Sequence, residues 1–158
     1  MIFKTGEIQG VSVKSLVKFQ DHRGWLCELF RQDELASEFF PVMSYISMTN
    51  AGTARGPHEH RQQADLFGFL GPSDFKIYLW DMRKNSPTYG YKMTLIAGAS
   101  DPKSVLIPLG VVHAYRNIGE TMGMVTNCPN LLFAGRGRKE KVDEIRYEED
   151  PNSIFQLD

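Results

Sequence analysis

Apolar and polar residues alternate along the chain in short runs, each interrupted by turn-forming residues before it reaches helical length. Period-two alternation with β-branched and aromatic enrichment predicts strands over 11–19, 25–30, 43–49, 65–70, 75–80, 91–96, 105–108, 111–115 and 122–128. Only 33–40 has helical character, with Asp33 placed to cap it and Pro41 to stop it. The 14 Gly and 8 Pro are spread along the chain and mark no linker, so one domain over residues 1–158 is expected. Many short strands at regular spacing make it all-β, a sandwich or barrel with one short helix.

A chain of 158 residues can bury a full core, about 70% of the surface its unfolded form exposes. Lys and Arg number 18 and Asp and Glu 19, for a net charge of −1. That balance lacks the basic excess that nucleic-acid binding requires, and no Lys/Arg stripe with interleaved aromatics replaces it. No apolar stretch is long enough for a membrane span or a secretory leader, so a cytoplasmic protein with no membrane partner is expected. Cys27 and Cys128 are the only cysteines and read as reduced, buried thiols. The mixed charges of 135–150 read as a solvated face.

Candidate chemistry lies with the histidines. His58 and His60 are two apart in Arg55-Gly56-Pro57-His58-Glu59-His60, so in an extended segment they share a face. Asp65 follows within a loop's reach, and His113 lies in Pro108-x-Gly110-x-x-His113-x-x-x-Asn117. Three imidazoles and a carboxylate (His58, His60, Asp65, His113) can bind a divalent metal. Without one, the same groups serve as acid, base or ligand-orienting residues, and no cofactor is the favoured reading.

Gly52 followed by His58-x-His60 and Asp65 is similar to the first cupin motif, and the segment around His113 to the second; together they imply a double-stranded β-helix barrel, or jelly roll. Further strings narrow the resemblance. Asp21-x-Arg23-Gly24-x-x-x-Glu28, Arg55-Gly-Pro-His58, Asp81-x-Arg83-x-x-Ser86-Pro-Thr-Tyr-Gly90, Pro108-x-Gly110-x-x-His113 and Ile145-Arg-Tyr-Glu-Glu-Asp150-Pro151 occur in that order. Over nearly the whole chain they resemble the dTDP-4-dehydrorhamnose 3,5-epimerase family. The resemblance implies proton abstraction beside the C4 ketone of a nucleotide-linked deoxysugar, through an enolate, and reprotonation from the other face. It implies His58 as base and Asp150 as its carboxylate partner, with Glu149 as the alternative partner. It also implies Arg23 and Glu28 near the diphosphate, Arg55 as a clamp, His113 as a pocket residue, and a homodimer.

Three positions depart from the family pattern. Gln63-Ala64-Asp65 stands where the family has a lysine two residues after a glutamine, Thr126 where it has its proton-donating tyrosine, and His60 where glutamine is usual. A threonine hydroxyl is too weak an acid for that task; two repairs are open, Tyr115, on the same strand face as His113, as the acid, or a cation held by His58, His60, Asp65 and His113 as the Lewis acid in place of the missing lysine. Arg55-Gly-x-His58-x-His60 also resembles dTDP-sugar 3,4-ketoisomerases, in which paired histidines can shuttle a proton between adjacent carbons. Epimerase, ketoisomerase, metal-dependent cupin and noncatalytic sugar-nucleotide binder are the readings carried forward.

Overall fold

A computed structural model describes residues 1–158. The strands are β1 (Lys4–Thr5), β2 (Ser12–Ser15), β3 (Lys18–Asp21), β4 (Gly24–Cys27), β5 (Tyr45–Thr49), β6 (Ala54–Glu59), β7 (Asp65–Gly71), β8 (Asp74–Asp81), β9 (Tyr91–Gly98), β10 (Lys103–Ile107), β11 (Val111–Asn117), β12 (Gly123–Asn127) and β13 (Ile145–Arg146). One sheet has the order β1-β9-β8-β11-β6-β13, a second β2-β10-β7-β12-β5, while β3 and β4 pair only with each other. All pairings are antiparallel except β1 with β9. The two larger sheets enclose the core as a jelly roll, as the motifs imply.

Alternation builds the interior. Phe67 and Phe69 of β7, Phe75, Ile77 and Leu79 of β8, Val105 and Ile107 of β10, Val111 and Tyr115 of β11, and Val125 of β12 form one buried cluster. Each such side chain contributes roughly 1.5–3 kcal/mol by leaving water. The outward residues of the same strands are covered too. Tyr78, Trp80, Val112 and Ala114 pack against Phe155 and Tyr147 of the C-terminal tail. On the other sheet, Leu66, Leu106 and Cys128 lie under Leu29, Leu35 and Phe39. No helix is long and apolar enough to cross a membrane.

Four local expectations are corrected. The helix over 33–40 is two single 3-10 turns, Gln32–Glu34 and Ser37–Phe39, separated by extended Leu35 and Ala36. One turn with no side-chain cap cannot repay helix nucleation, and covering the second sheet orients Leu35 and Phe39 instead. The run 11–19 divides at Leu16 and Val17: β2 joins β10, and β3 turns away to pair with β4. β6 and β13 carry too little apolar alternation to be marked as strands, and their pairing depends on neighbours distant in sequence. The segment 135–150, expected as a solvated face, forms one wall of the main cavity.

Candidate active site

β6 and β11 lie side by side, with His113 opposite His58 and Tyr115 opposite Arg55. Two residues separate Arg55 from His58 but only one separates their partners Tyr115 and His113, so β6 carries a bulge at Gly56–Pro57. Without it, residues an odd number apart would face opposite sides; with it, Arg55 and His58 line the same cavity. Gly56 is required there. Its φ is +77°, and a β-carbon would lie 2.6 Å from the His113 carbonyl oxygen.

The cavity holds about 1070 Å³, the upper end of the range for small-molecule sites. Its walls include Arg55, His58, His60 and Tyr115 from one side and Tyr45, Ser47 and Phe67 from the other. Arg136, Arg138, Lys141 and Glu144 line the C-terminal wall. His58, His60 and His113 cluster with ring centroids 4.3–5.9 Å apart.

Their electrostatics differ. Nδ1 of His113 faces the Val111 carbonyl at 3.0 Å, and Nδ1 of His60 hydrogen-bonds the Asp143 carbonyl. Each Nδ1 therefore donates, which points each Nε2 at Oδ2 of Asp65, at 3.4 Å from His113 and 3.3 Å from His60. Burial opposes charge on His60, but the Asp65 carboxylate and the Asp143 carbonyl outweigh it and raise its pKa. Burial likewise works against ionised Asp65, yet His60, His113 and Asn127 hold its pKa well below the usual carboxylate range. The result is a His60–Asp65 ion pair. His113 is held neutral by burial, and its Nε2 has no hydrogen-bond partner.

The imidazole of His58 makes no hydrogen bond to protein. Burial, with His113 and His60 beside it, pushes its pKa down to about 2, although Asp65 acts in the other direction. Its imidazole is therefore neutral, with a lone pair facing the cavity.

The donor set also fits a divalent cation. One ligand atom from each of His58, His60 and His113 lies within 4.8 Å of the others. Asp65 adds an oxygen, His113 Nε2 is a buried lone pair without a proton to accept, and carbonyls fix the remote nitrogens of two ligands as metal sites require. A cation there would supply a Lewis acid.

The structure separates other expected groups from this cluster. Asp150, expected beside His58, is exposed in a turn where its carboxylate accepts from the Asn152 amide. Glu149 is exposed too, 4.0 Å from Arg146. The turns after β13 carry both side chains to solvent, and the buried carboxylate near His58 is Asp65. Asp65 does raise the basicity of His58, but burial and the neighbouring imidazoles outweigh it. Arg23 is exposed in the β3–β4 turn, bonded to Asp21, and Glu28 pairs with Arg31. Neither lines the cavity, because their hairpin joins neither barrel sheet. Tyr115 does line it, with its hydroxyl 2.9 Å from Ser47 Oγ. Thr126 lies between inward Val125 and Asn127 and takes no part.

Sequence reasoning missed Tyr45, Asn127 and Asp143. Tyr45, Ser47 and Thr49 form the inward face of β5, and their alternation was a usable signal. Asn127 donates to both Tyr45 Oη and Asp65 Oδ1. Asp143 accepts the backbone amides of Arg61, Gln62 and Gln63, fixing the loop that positions His60 and Asp65; no local pattern announces that role.

A jelly roll whose cavity holds a neutral imidazole, an arginine and tyrosine hydroxyls defines a barrel enzyme of the proton-transfer class. Residues 5–143 match the family model described as dTDP-4-dehydrorhamnose 3,5-epimerase, and the chain belongs to that family of sugar-nucleotide isomerases. It is 40% identical over 114 residues to the spore coat polysaccharide biosynthesis protein SpsL of Bacillus subtilis, covering 72% of this chain and 74% of SpsL. It is 33% identical over 127 residues to the probable low-salt glycan biosynthesis epimerase Agl13 of Haloferax volcanii, covering 80% of this chain and 81% of Agl13. Its fold matches the crystal structure of a dTDP sugar isomerase from Desulfovibrio desulfuricans G20 with a TM-score of 0.78 at 21% identity, over 91% of this chain and 87% of that one.

Proposed function

We propose that residues 1–158 act as one domain that epimerises a nucleotide-linked 4-keto-6-deoxysugar at a carbon next to its ketone. The observation that carries this reading is His58, an unprotonated imidazole with no protein hydrogen bond, open to a cavity it shares with Arg55. His58 takes the proton from the carbon. The C–H electron pair becomes the enolate double bond, and the carbonyl pair moves to oxygen. His60 and Asp65 form an ion pair of no net charge, so Asp65 does not repel the enolate. Asp65 is thus compatible with the position where the family has lysine.

Arg55 donates to Thr49 Oγ1 and the Met48 carbonyl, keeping further N–H groups for diphosphate or sugar oxygens. Tyr115, with Ser47, supplies a hydroxyl for the enolate oxygen, and His113 shapes the pocket beside His58. The ketoisomerase alternative needs a free nitrogen on His60 to shuttle a proton. Both of its nitrogens are engaged, by Asp143 and Asp65, which favours epimerisation.

A homodimer completes the reading. The β3–β4 hairpin exposes Phe19, Trp25 and Leu26, and β5 is a sheet edge exposing Ile46 and Met48. A second copy would cover them and carry Arg23 and Glu28 towards a neighbouring cavity. The free thiols of Cys27 and Cys128 suit a cytoplasmic setting.

The test is incubation with dTDP-4-keto-6-deoxyglucose in heavy water, read by NMR. Deuterium should enter at C3 or C5 while the ketone stays in place, and His58→Asn should abolish uptake. A displaced ketone would mean isomerisation. No uptake, with tight nucleotide binding, would mean a binding module.

A further inference from the structure

We infer that Tyr45 is the acid that returns the proton to the opposite face of the sugar ring, an inference that rests on the epimerase reading. Inversion requires base and acid on opposite sides of one carbon. His58 stands on β6, in the first sheet, and Tyr45 on β5, in the second, and both line the cavity between. Tyr115 stands on β11, the immediate neighbour of β6, so it shares the wall of the base. Its oxygen is also shared with Ser47.

Hydrogen bonding settles where the proton of Tyr45 points. Asn127 Nδ2 lies 2.9 Å from Tyr45 Oη and 2.8 Å from Asp65 Oδ1. Ionised Asp65 can only accept, so this nitrogen is the amide's donor end, and its second hydrogen goes to the phenol oxygen. Tyr45 Oη accepts that bond and keeps its own proton free for the cavity. The same chain of contacts holds the hydroxyl two hydrogen bonds from Asp65. Tyr45 is 45% exposed overall, but loss of water around its hydroxyl raises the phenol pKa to about 12, so it holds its proton at neutral pH.

The step balances. The enolate oxygen pair re-forms the carbonyl, the C–C π pair takes the Tyr45 proton, and the O–H pair remains as phenolate. His58 then carries the proton removed first, and transfer through water from imidazolium to phenolate restores both groups.

The experiment separates abstraction from delivery. Wild type, Tyr45→Phe and Tyr115→Phe are given dTDP-4-keto-6-deoxyglucose in heavy water, and NMR follows both deuterium uptake and configuration at C3 and C5. Tyr45→Phe should keep deuterium uptake, with retained configuration, within about tenfold of wild type. Inverted product should fall about 100-fold or more, the scale of one general acid. In Tyr115→Phe uptake and inversion should fall together. A ring-fluorinated tyrosine at position 45 keeps the shape and lowers the phenol pKa, so the alkaline limb of the inversion rate should move to lower pH. Inversion by Tyr45→Phe within threefold of wild type, uptake lost in step with inversion, or an unmoved alkaline limb would each overturn the assignment. A wild type that takes up no deuterium would instead defeat the epimerase reading, and this one with it.

Discussion

Replacing Asp65 by Asn and by Ala separates charge from hydrogen bonding at the centre of the site. The side chain is 1% exposed. Its Oδ1 accepts from Gln63 Nε2 at 2.9 Å and Asn127 Nδ2 at 2.8 Å, and its Oδ2 faces the Nε2 atoms of His60 and His113. In Asp65→Ala both amides and the His60 imidazole lose this partner. An orphaned buried polar group costs about 1–3 kcal/mol, and breaking a buried pair about 3–5 kcal/mol. These costs overlap, and a loss of about 4 kcal/mol is expected, roughly 10 °C in Tm. In Asp65→Asn the amide oxygen replaces Oδ1, and the amide nitrogen offers hydrogens to two neutral imidazoles. Removing both charges also removes their desolvation cost, so the loss should be about 1 kcal/mol or less. Deuterium uptake in Asp65→Asn should stay within about threefold of wild type, because the negative charge of Asp65 and the positive charge of His60 vanish together and leave the imidazolium forming at His58 with no net change of nearby charge. Urea unfolding at pH 7.5, followed by Trp fluorescence, reads the stability. Equal losses for the two variants would refute the hydrogen-bond account, and a fall in uptake of about tenfold or more in Asp65→Asn would refute the electrostatic one.

Asp81 is fully buried and accepts from Arg83, Ser86 and Thr88, so Asp81→Ala should cost about 3–5 kcal/mol in the same unfolding assay; a loss under about 1 kcal/mol would contradict it. His58 and His113 are neutral when folded but titrate normally when unfolded, near pH 6.5. The folded state therefore binds fewer protons below that pH, and acidification from 6.5 to 5.5 should cost about 2 kcal/mol. His60, whose pKa is raised, adds stability that is full below its unfolded pKa and is lost as pH rises from there through its folded value. A flat stability profile over the acid window would count against these protonation states. Zn²⁺ bound at the imidazole cluster would occupy the lone pair of His58, so it should inhibit deuterium uptake and a chelator should reverse the effect. Uptake that rises with metal would reassign the cluster to Lewis-acid chemistry.

The all-β architecture, the pairing of His58 with His60 and the inward face of β11 were legible in the sequence, because period-two alternation is a local property of an extended chain. The ordered motifs identified the family for the same reason: each is a turn or strand end whose geometry its own residues dictate, as Asp81 does by holding Arg83, Ser86 and Thr88. Asp65 beside the imidazoles was also legible, from its place one loop after His60, whereas the position of Asp150 was not local: the turn after β13 carries it to solvent. The Gly56 bulge that brings Arg55 beside His58, the Asp143 clasp and the two-sheet separation of His58 from Tyr45 have the same origin. They join residues tens of positions apart, where contact is decided by the closing of two sheets on one core and not by the preference of any segment.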